Sequence, residues 1–364
     1  MSLTECISIC NYCGETMYSA KTIVLTFYLL VTALFAQMAQ SKELMLLTWP
    51  DYIDPQVLLE FKKRTGITVK QSFFDSDTNR DALLLETECK GFDIALINDA
   101  SIRVLAQRGW LEPLEQTSIP NLKHVDPRKH SEPEQTKYFG VPYFWGTVGI
   151  VYRKDLVPFT VSSWMDLLQP QEVLHEKIAM IGDSRDLIGM ALKALGYSLN
   201  STDDEELKQA EVLLQAQAPA VQTYIYLSLK KDSTLLTGKV IMSMMYNGDA
   251  LVLKKHDKRI TFVLPQEGSN IWVDYLSVLS SSPNKAEAKQ FINFLNEPQI
   301  AAQLAQYVNY ASPNQAAEKL LPKAFRDNPI IYPNAQALEN SEAYQRLNPN
   351  AQKKRTVIFS RIIY

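Results

Sequence analysis

Carboxylates recur beside aromatic rings along this 364-residue chain. TWPDY holds Trp49, Asp51 and Tyr52, and FFDSD holds Phe74, Asp75 and Asp77. YNGD holds Tyr246 and Asp249, and IWVDY holds Trp272, Asp274 and Tyr275. IGDSRD adds Asp183 and Asp186, and PYFWG adds Tyr143, Phe144 and Trp145. Carboxylates accept hydrogen bonds from ammonium groups, while ring faces attract cations and cover methylene chains. Taken singly, each position also suits a turn or a helix N-cap, Asp183 above all, because SRDLIGM behind it reads as a helix. Repetition of the same chemistry at successive strand ends favours a ligand site, since ligands of open α/β sheets sit at the carboxyl ends of strands.

Catalytic arrangements are scarce. His124, His130, His175 and His256 stand in polar surroundings, no two of them at H-x-x-x-H spacing, and no G-x-S-x-G, P-loop or dinucleotide-binding glycine pattern occurs. Asp75 and Asp77 could pair, but FDSD followed by TNRDALL reads as a loop feeding a helix. The chain is therefore read as a non-enzyme with no cofactor and no metal. CISICNYC places Cys6, Cys10 and Cys13 at the C-x3-C-x2-C spacing that radical-SAM enzymes use for an iron–sulfur cluster. Nothing downstream supplies the glycine-rich strand ends that such a barrel needs, and the match reads as chance.

Behind Lys21, TIVLTFYLLVTALFA carries no charge and gives way to QMAQSKE. Such a run is shorter than the roughly 20 apolar residues that span a hydrocarbon core, and its flanks suit a secretory signal. Residues 1–40 are read as a signal peptide, with translation starting at Met17, which would send the protein to the periplasm with Cys89 as its one cysteine. Hydrophobic residues make up 46% and charged residues 21%, enough for two lobes with their own cores. A net charge of -3 leaves no basic excess for a phosphate backbone, so nucleic acid is a poor partner.

The elements that must hold the acids alternate. ELMLLTW reads as a strand, PQVLLEFKKRTG as a helix with Pro55 at its start and Gly66 past its end, and ITVKQSFF as a strand. A helix over TNRDALLLETECKG, a strand FDIALIN and a helix closed by Pro113 follow, which predicts a largely parallel sheet. VPYFWGTVGIVYRKDL begins a second α/β unit, with Gly146 and Gly149 at a bend between lobes. Further on, SRDLIGMALKALGY reads as a helix and the next helix as opened by the capping box Thr202 to Glu205. KVIMSMMYNGDALVL, ITFVLPQEG and IWVDYLSVLS read as strands, and Pro298 separates two later helices.

TWPDYIDPQVLLEFKKRTGITV, FFDSD, FDIALI, VPYFWGTVGIVYRKD, DSRDLIGMALKALGYSLNSTD, YNGDA, PQEGSNIWVDYL and YVNYASPNQAA together resemble the periplasmic binding proteins of spermidine and putrescine import, from about Leu44 to about Gln345. The resemblance implies the type II periplasmic-binding fold, two α/β lobes closing on a linear polyamine, in a monomer. Lobe 1 would comprise residues 43–147 and 272–315, and lobe 2 residues 148–271 and 316–364. Matched position by position, Trp49 is the aromatic after the first strand, Asp183 and Asp186 receive ammonium groups, and Trp272 and Asp274 line the cleft. Tyr310 and Gln345 supply further polar contacts, and Tyr246 stands where the family has another tryptophan.

This chain also departs from the family pattern. Pro50 replaces a threonine, Asn98 and Ala100 replace a serine and an aromatic with Asp99 between them, Asp186 replaces a glutamate, and Asp249 adds an acid. Together with the long tail NPNAQKKRTVIFSRIIY, these departures are similar to the norspermidine and spermidine sensor branch. That branch passes ligand state to a membrane cyclic-di-GMP enzyme and so influences biofilm formation. An ABC permease is the alternative membrane partner, and a ferric-binding relative on the same fold is the third reading.

Overall fold

The computed structural model describes residues 42–126 and 139–363. The expected leader, Cys6, Cys10, Cys13 and His130 lie outside those residues.

The chain begins with β1 (Glu43–Thr48), flanked by parallel partners β2 (Thr68–Phe73) and β3 (Ile94–Asn98). Helix α1 (Pro55–Thr65) lies between β1 and β2. Asp54 caps it by accepting from the Gln56 N–H at 2.9 Å, and Gly66 ends it at φ 74. Helices α2 (Asp77–Glu86) and α3 (Asp99–Gln107) bracket β3. The helix expected to close at Pro113 stops at Gln107, because Gly109 turns the chain at φ 71.

Strand β4 (Val141–Arg153) then runs unbroken through both halves of the molecule. The second half contains α4 (Met165–Leu168), β5 (Ile178–Ala179), α5 (Ser184–Ala194), α6 (Asp204–Gln217), β6 (Val221–Thr223) and α7 (Thr234–Thr237). It continues through β7 (Met242–Tyr246), α8 (Asn247–His256) and β8 (Ile260–Val263). Strand β9 (Ile271–Val278) returns to the first sheet, followed by α9 (Lys285–Leu295), α10 (Pro298–Val308), α11 (Gln315–Leu320), α12 (Lys323–Arg326) and α13 (Pro349–Ile363).

The sheet order is β2-β1-β3-β9-β4-β7-β5-β6, with β8 beside β4. It is mixed rather than largely parallel. β9 is antiparallel to β3 and β4, and β4 is antiparallel to β7 and β8, because β9 re-enters from the opposite end of the molecule. From Val141 to Thr147, β4 pairs with β9; from Val148 onward it pairs with β7 and β8. The exchange of partners in one strand divides the molecule into two halves.

Each half has its own core. Leu46, Phe61, Leu96, Tyr275 and Phe291 belong to the first, and Trp164, Ile178, Leu187, Leu214 and Met244 to the second. The first core continues past residue 315 through Ala317, Leu321 and Ile331, whereas Ile358 and Ile362 of α13 pack on the second.

Two local expectations need correction. NGDALVL, read as strand, is the start of α8, since Gly248 and Asn247 turn the chain as soon as β7 ends. The cap of α6 is Asp203 rather than Thr202, its carboxylate accepting from Glu205 and Glu206 N–H at 2.9 and 3.1 Å. Gly146 and Gly149 also serve a purpose other than a bend. A Cβ on Gly146 would sit 2.4 Å from Asn247 Oδ1, and one on Gly149 would sit 2.4 Å from the Phe262 ring, so both glycines admit close neighbours.

The chain passes between the halves in three places among the described residues: along β4, at the entry to β9, and in the tail segment before α13. The last two run side by side. The Ile271 N–H donates to Glu342 O at 2.8 Å, and the Glu342 N–H donates to Ser269 O at 2.9 Å.

Candidate functional site

A string of aromatic rings lies where β4, β7 and β9 meet. Alternate residues of a strand share a face, so β9 brings Trp272 and Asp274 to one side. Trp272 stands edge-on to Tyr246, with ring centroids 5.9 Å apart, and to Tyr310 at 4.8 Å. Tyr310 in turn meets Tyr52 at 6.1 Å. Every tyrosine of this string donates its hydroxyl to a carboxylate. Tyr52 reaches Asp274 at 3.0 Å, Tyr246 reaches Asp186 at 2.8 Å and Tyr310 reaches Asp249 at 2.8 Å. Two tyrosines outside the string add second donors, Tyr344 to Asp186 at 2.9 Å and Tyr226 to Asp249 at 2.6 Å.

These carboxylates have phenol partners where a cation would complete them. Burial pushes Asp274 up to about 7, helped by the charge of Asp77 and opposed by the Tyr52 hydrogen bond. Burial also lifts Asp186 to about 7, with Asp183 adding to the rise and Tyr246 and Tyr344 opposing it. Asp249 is raised for the same primary reason, against the bonds from Tyr226 and Tyr310. A ligand ammonium would lower all three by favouring their charged forms.

A second cluster, at the N-termini of α2, α3 and α5, is compensated from within. Asp77 Oδ2 accepts from Asn98 Nδ2 at 2.7 Å and from Arg185 at 3.0 Å, while its other oxygen takes the fully buried Arg80. Burial alone would raise Asp77, but the charges of Arg80 and Arg185 hold it below the usual carboxylate range. Asp99 is buried with its Oδ2 unpartnered among the described residues, and burial pushes it up to about 7 despite the charge of Arg185. Asn98 caps α3 by accepting from the Ser101 N–H at 2.9 Å. Asp183 caps α5, accepting from the Arg185 N–H at 2.8 Å.

Of the residues singled out from the sequence, Tyr52, Asp186, Tyr246, Asp249, Trp272, Asp274 and Tyr310 come together around the ring string. Asp77, Asn98, Asp99 and Asp183 gather in the Arg185 cluster. Trp49 packs on Phe74 at 4.3 Å, and Trp145 is buried with Tyr332 at 6.2 Å. Asp51 is an exposed turn residue at φ 55, and Asp75 is exposed, accepting from Asn79 at 2.6 Å. Gln345 is exposed, its N–H donating to Asn200 at 2.8 Å, while the adjacent Tyr344 is the tail residue that reaches Asp186.

Sequence reasoning missed Tyr226, Tyr344, Arg80 and Arg185. Arg185 stands inside the quoted IGDSRD, where its charge, opposite to that of both flanking acids, was the available signal. Among the described residues no group of three or more His, Cys, Asp or Glu side chains could hold a metal ion. No described helix is long and apolar enough to cross a membrane.

The sequence matches the family described as bacterial extracellular solute-binding protein over residues 56–333. It is 31% identical to the spermidine/putrescine-binding periplasmic protein of Escherichia coli K12, across 81% of this chain and 84% of that one. It is 32% identical to the norspermidine sensor of Vibrio cholerae serotype O1, across 97% and 98%. Its fold is similar to the substrate-binding protein of a spermidine/putrescine ABC transporter from Streptococcus pneumoniae, with a TM-score of 0.76, 28% identity, and 88% and 98% coverage.

Proposed function

Because the chain belongs to the bacterial extracellular solute-binding proteins, which hold a solute rather than transform it, we propose that it is a periplasmic polyamine-binding protein. One observation carries the reading. Asp186, Asp249 and Asp274 are linked by a continuous run of rings, Tyr246, Trp272, Tyr310 and Tyr52. Carboxylates separated by aromatic faces suit ammonium groups separated by methylenes, the chemistry of a linear polyamine of the norspermidine and spermidine class.

The two halves joined by β4 act as lobes 1 and 2, and a ligand that contacts both favours their closed arrangement by its differential affinity. The closed form then serves as a signal for a membrane cyclic-di-GMP enzyme controlling biofilm formation. Likeness to the Vibrio sensor along nearly the whole length of both chains supports that output. Delivery to an ABC permease is the second reading, favoured by the likeness to the substrate-binding protein of a spermidine/putrescine ABC transporter over most of the chain. A ferric ligand is disfavoured. Among the described residues no group of three or more His, Cys, Asp or Glu side chains could hold a metal ion.

Calorimetric titration of the chain from Ser41 onward with putrescine, norspermidine, spermidine and spermine tests the proposal, with ferric ion and an amino-acid mixture as controls. One-to-one binding of a polyamine, recovered unchanged, is expected. Silence across all four amines would refute the ligand class.

A further inference from the structure

The IGDSRD loop puts a cation where a polyamine-binding cleft calls for anions. Arg185 sits in the first turn of α5, on the second half of the molecule, and its side chain is only 18% exposed. Its Nη2 donates to Asp77 Oδ2 at 3.0 Å, and Asp77 opens α2 on the first half. Its Nε lies 3.7 Å from Asp183 Oδ1 on its own loop. The guanidinium thus joins an acid of one half to an acid of the other.

Arg80, which shares the Asp77 carboxylate with Arg185, carries the same charge and opposes it. Asp77, Asp183, Asp81 and Asp186 favour the charge of Arg185, whose guanidinium carbon lies 6.0 Å from the Tyr344 ring centroid. Asp99, whose Oδ2 is unpartnered among the described residues, feels the same guanidinium. Asp77 is anchored independently of Arg185, by Arg80 and Asn98 on its own half. Asp183 is anchored by its capping bond on the other half. Separation of the halves would leave Asp77 and Asp183 with their local partners while breaking the bond between Arg185 and Asp77, as it would the Tyr310–Asp249 bond.

We propose that Arg185 is a positioning residue that ties the two lobes in the closed arrangement through Asp77, and that it withdraws Asp77 and Asp183 from the ligand. The inference rests on the polyamine reading for its binding consequence, but the tie itself does not require a ligand. Closure is coupled to an ion pair that the chain supplies, so ligand affinity depends on a contact the ligand does not make. Ammonium groups are then left with Asp186, Asp249 and Asp274.

The test compares the wild-type protein with Arg185→Gln, Asp77→Asn, the double variant and Arg185→Lys. Two readouts are used: small-angle scattering of each protein without ligand, and titration with putrescine, norspermidine, spermidine and spermine. The two single variants should each widen the ligand-free radius of gyration. Each should also weaken every amine that binds by a similar factor, on the order of tenfold. The double variant should be little weaker than either single one, because both remove the same bond. Arg185→Lys should recover part of the loss.

A radius unchanged in Arg185→Gln overturns the tie, whether or not any amine binds. A loss confined to one amine, or a gain for the longest, would mean that the ligand itself uses Asp77 or Asp183, and overturns it as well. Failure of the wild-type protein to bind any amine refutes the polyamine reading, while the scattering comparison still decides the tie. Asp77→Asn also removes a partner of buried Arg80, so if that variant unfolds, the Arg185 pair of substitutions decides alone.

Discussion

Gly146 on β4 lies directly opposite Trp272 on β9, and a methyl group on that glycine would stand 2.6 Å from the indole Cζ2. The same methyl would meet Asn247 Oδ1 at 2.4 Å, the atom that accepts the Thr147 N–H at 3.2 Å. A side chain here would collide with the central ring of the site and with the start of α8 together. Gly146→Ala should therefore shift Trp272 and loosen the crossing of β4 between the halves. Overpacking of this kind costs about 1–3 kcal/mol of stability. Thermal melting should fall accordingly and polyamine affinity should drop with it; a variant with unchanged melting and affinity would show that Trp272 tolerates displacement.

Asp274 should trade stability against binding. Asp99, Asp186 and Asp274 are each pushed up to about 7 by burial, against roughly 3.9 for an unfolded aspartate. Between about pH 4 and 7 these three acids hold more protons in the native protein than in the unfolded chain. The stability these three acids contribute without ligand is full below the lower value and is lost as pH rises through about 7. Polyamines remain cationic in this range and need the ionised acids, so binding should release protons and tighten from pH 6 to 8. Asp274→Asn should raise the ligand-free melting temperature at pH 8 and flatten its pH dependence. The same variant should weaken binding by roughly 30-fold or more, as expected when one partner of a buried charged contact is removed. Calorimetry in buffers of different ionisation enthalpy measures the proton release directly.

How far the sequence revealed this site follows from where each residue gets its role. Trp272 and Asp274 were legible because strand alternation is a local property of IWVDY, although they lie at the start of β9 and not, as expected, past the carboxyl end of a strand. The cap Asp183 was legible because an acid directly before a helical run is also a local signal. Tyr344 was not, because its role comes from a tail segment that pairs with the entry to β9 and so lays the hydroxyl on Asp186. Arg185 was hidden differently. Its partner Asp77 is 108 positions away, on an element of the other half that the crossings between the halves bring opposite. The glycines of β4 were read for a bend, and their close packing was not legible, since only packing reports a missing Cβ.

Asp249 should discriminate by ligand charge. It is half-buried at the first turn of α8 and accepts from Tyr226 on its own half and Tyr310 on the other. With Asp186 and Asp274 it makes a third acidic pole, so a third ammonium can be matched. Asp249→Ser should weaken a triamine by about tenfold, the range of a charge-assisted hydrogen bond, and change a diamine much less. Parallel titrations with spermidine and putrescine measure the ratio. Equal losses for both would show that Asp249 only orders its two tyrosines.

Tyr344 should tune Asp186 from the tail. Asp186 is held by two phenol donors, Tyr246 at 2.8 Å and Tyr344 at 2.9 Å, and both oppose the rise that burial imposes on it. Removing one donor leaves Asp186 less willing to ionise, so it binds an ammonium only at higher pH. Tyr344→Phe keeps the ring, which packs against the second core, and deletes only the hydroxyl. Affinity at pH 7 should fall by roughly 3- to 10-fold, the net worth of an ordinary intramolecular hydrogen bond. Raising the pH to 8.5 should restore most of it, because the acid then ionises without help. A loss that persists at high pH would mean that the hydroxyl contacts the ligand itself, and a loss accompanied by lower melting would assign Tyr344 to holding the tail in place.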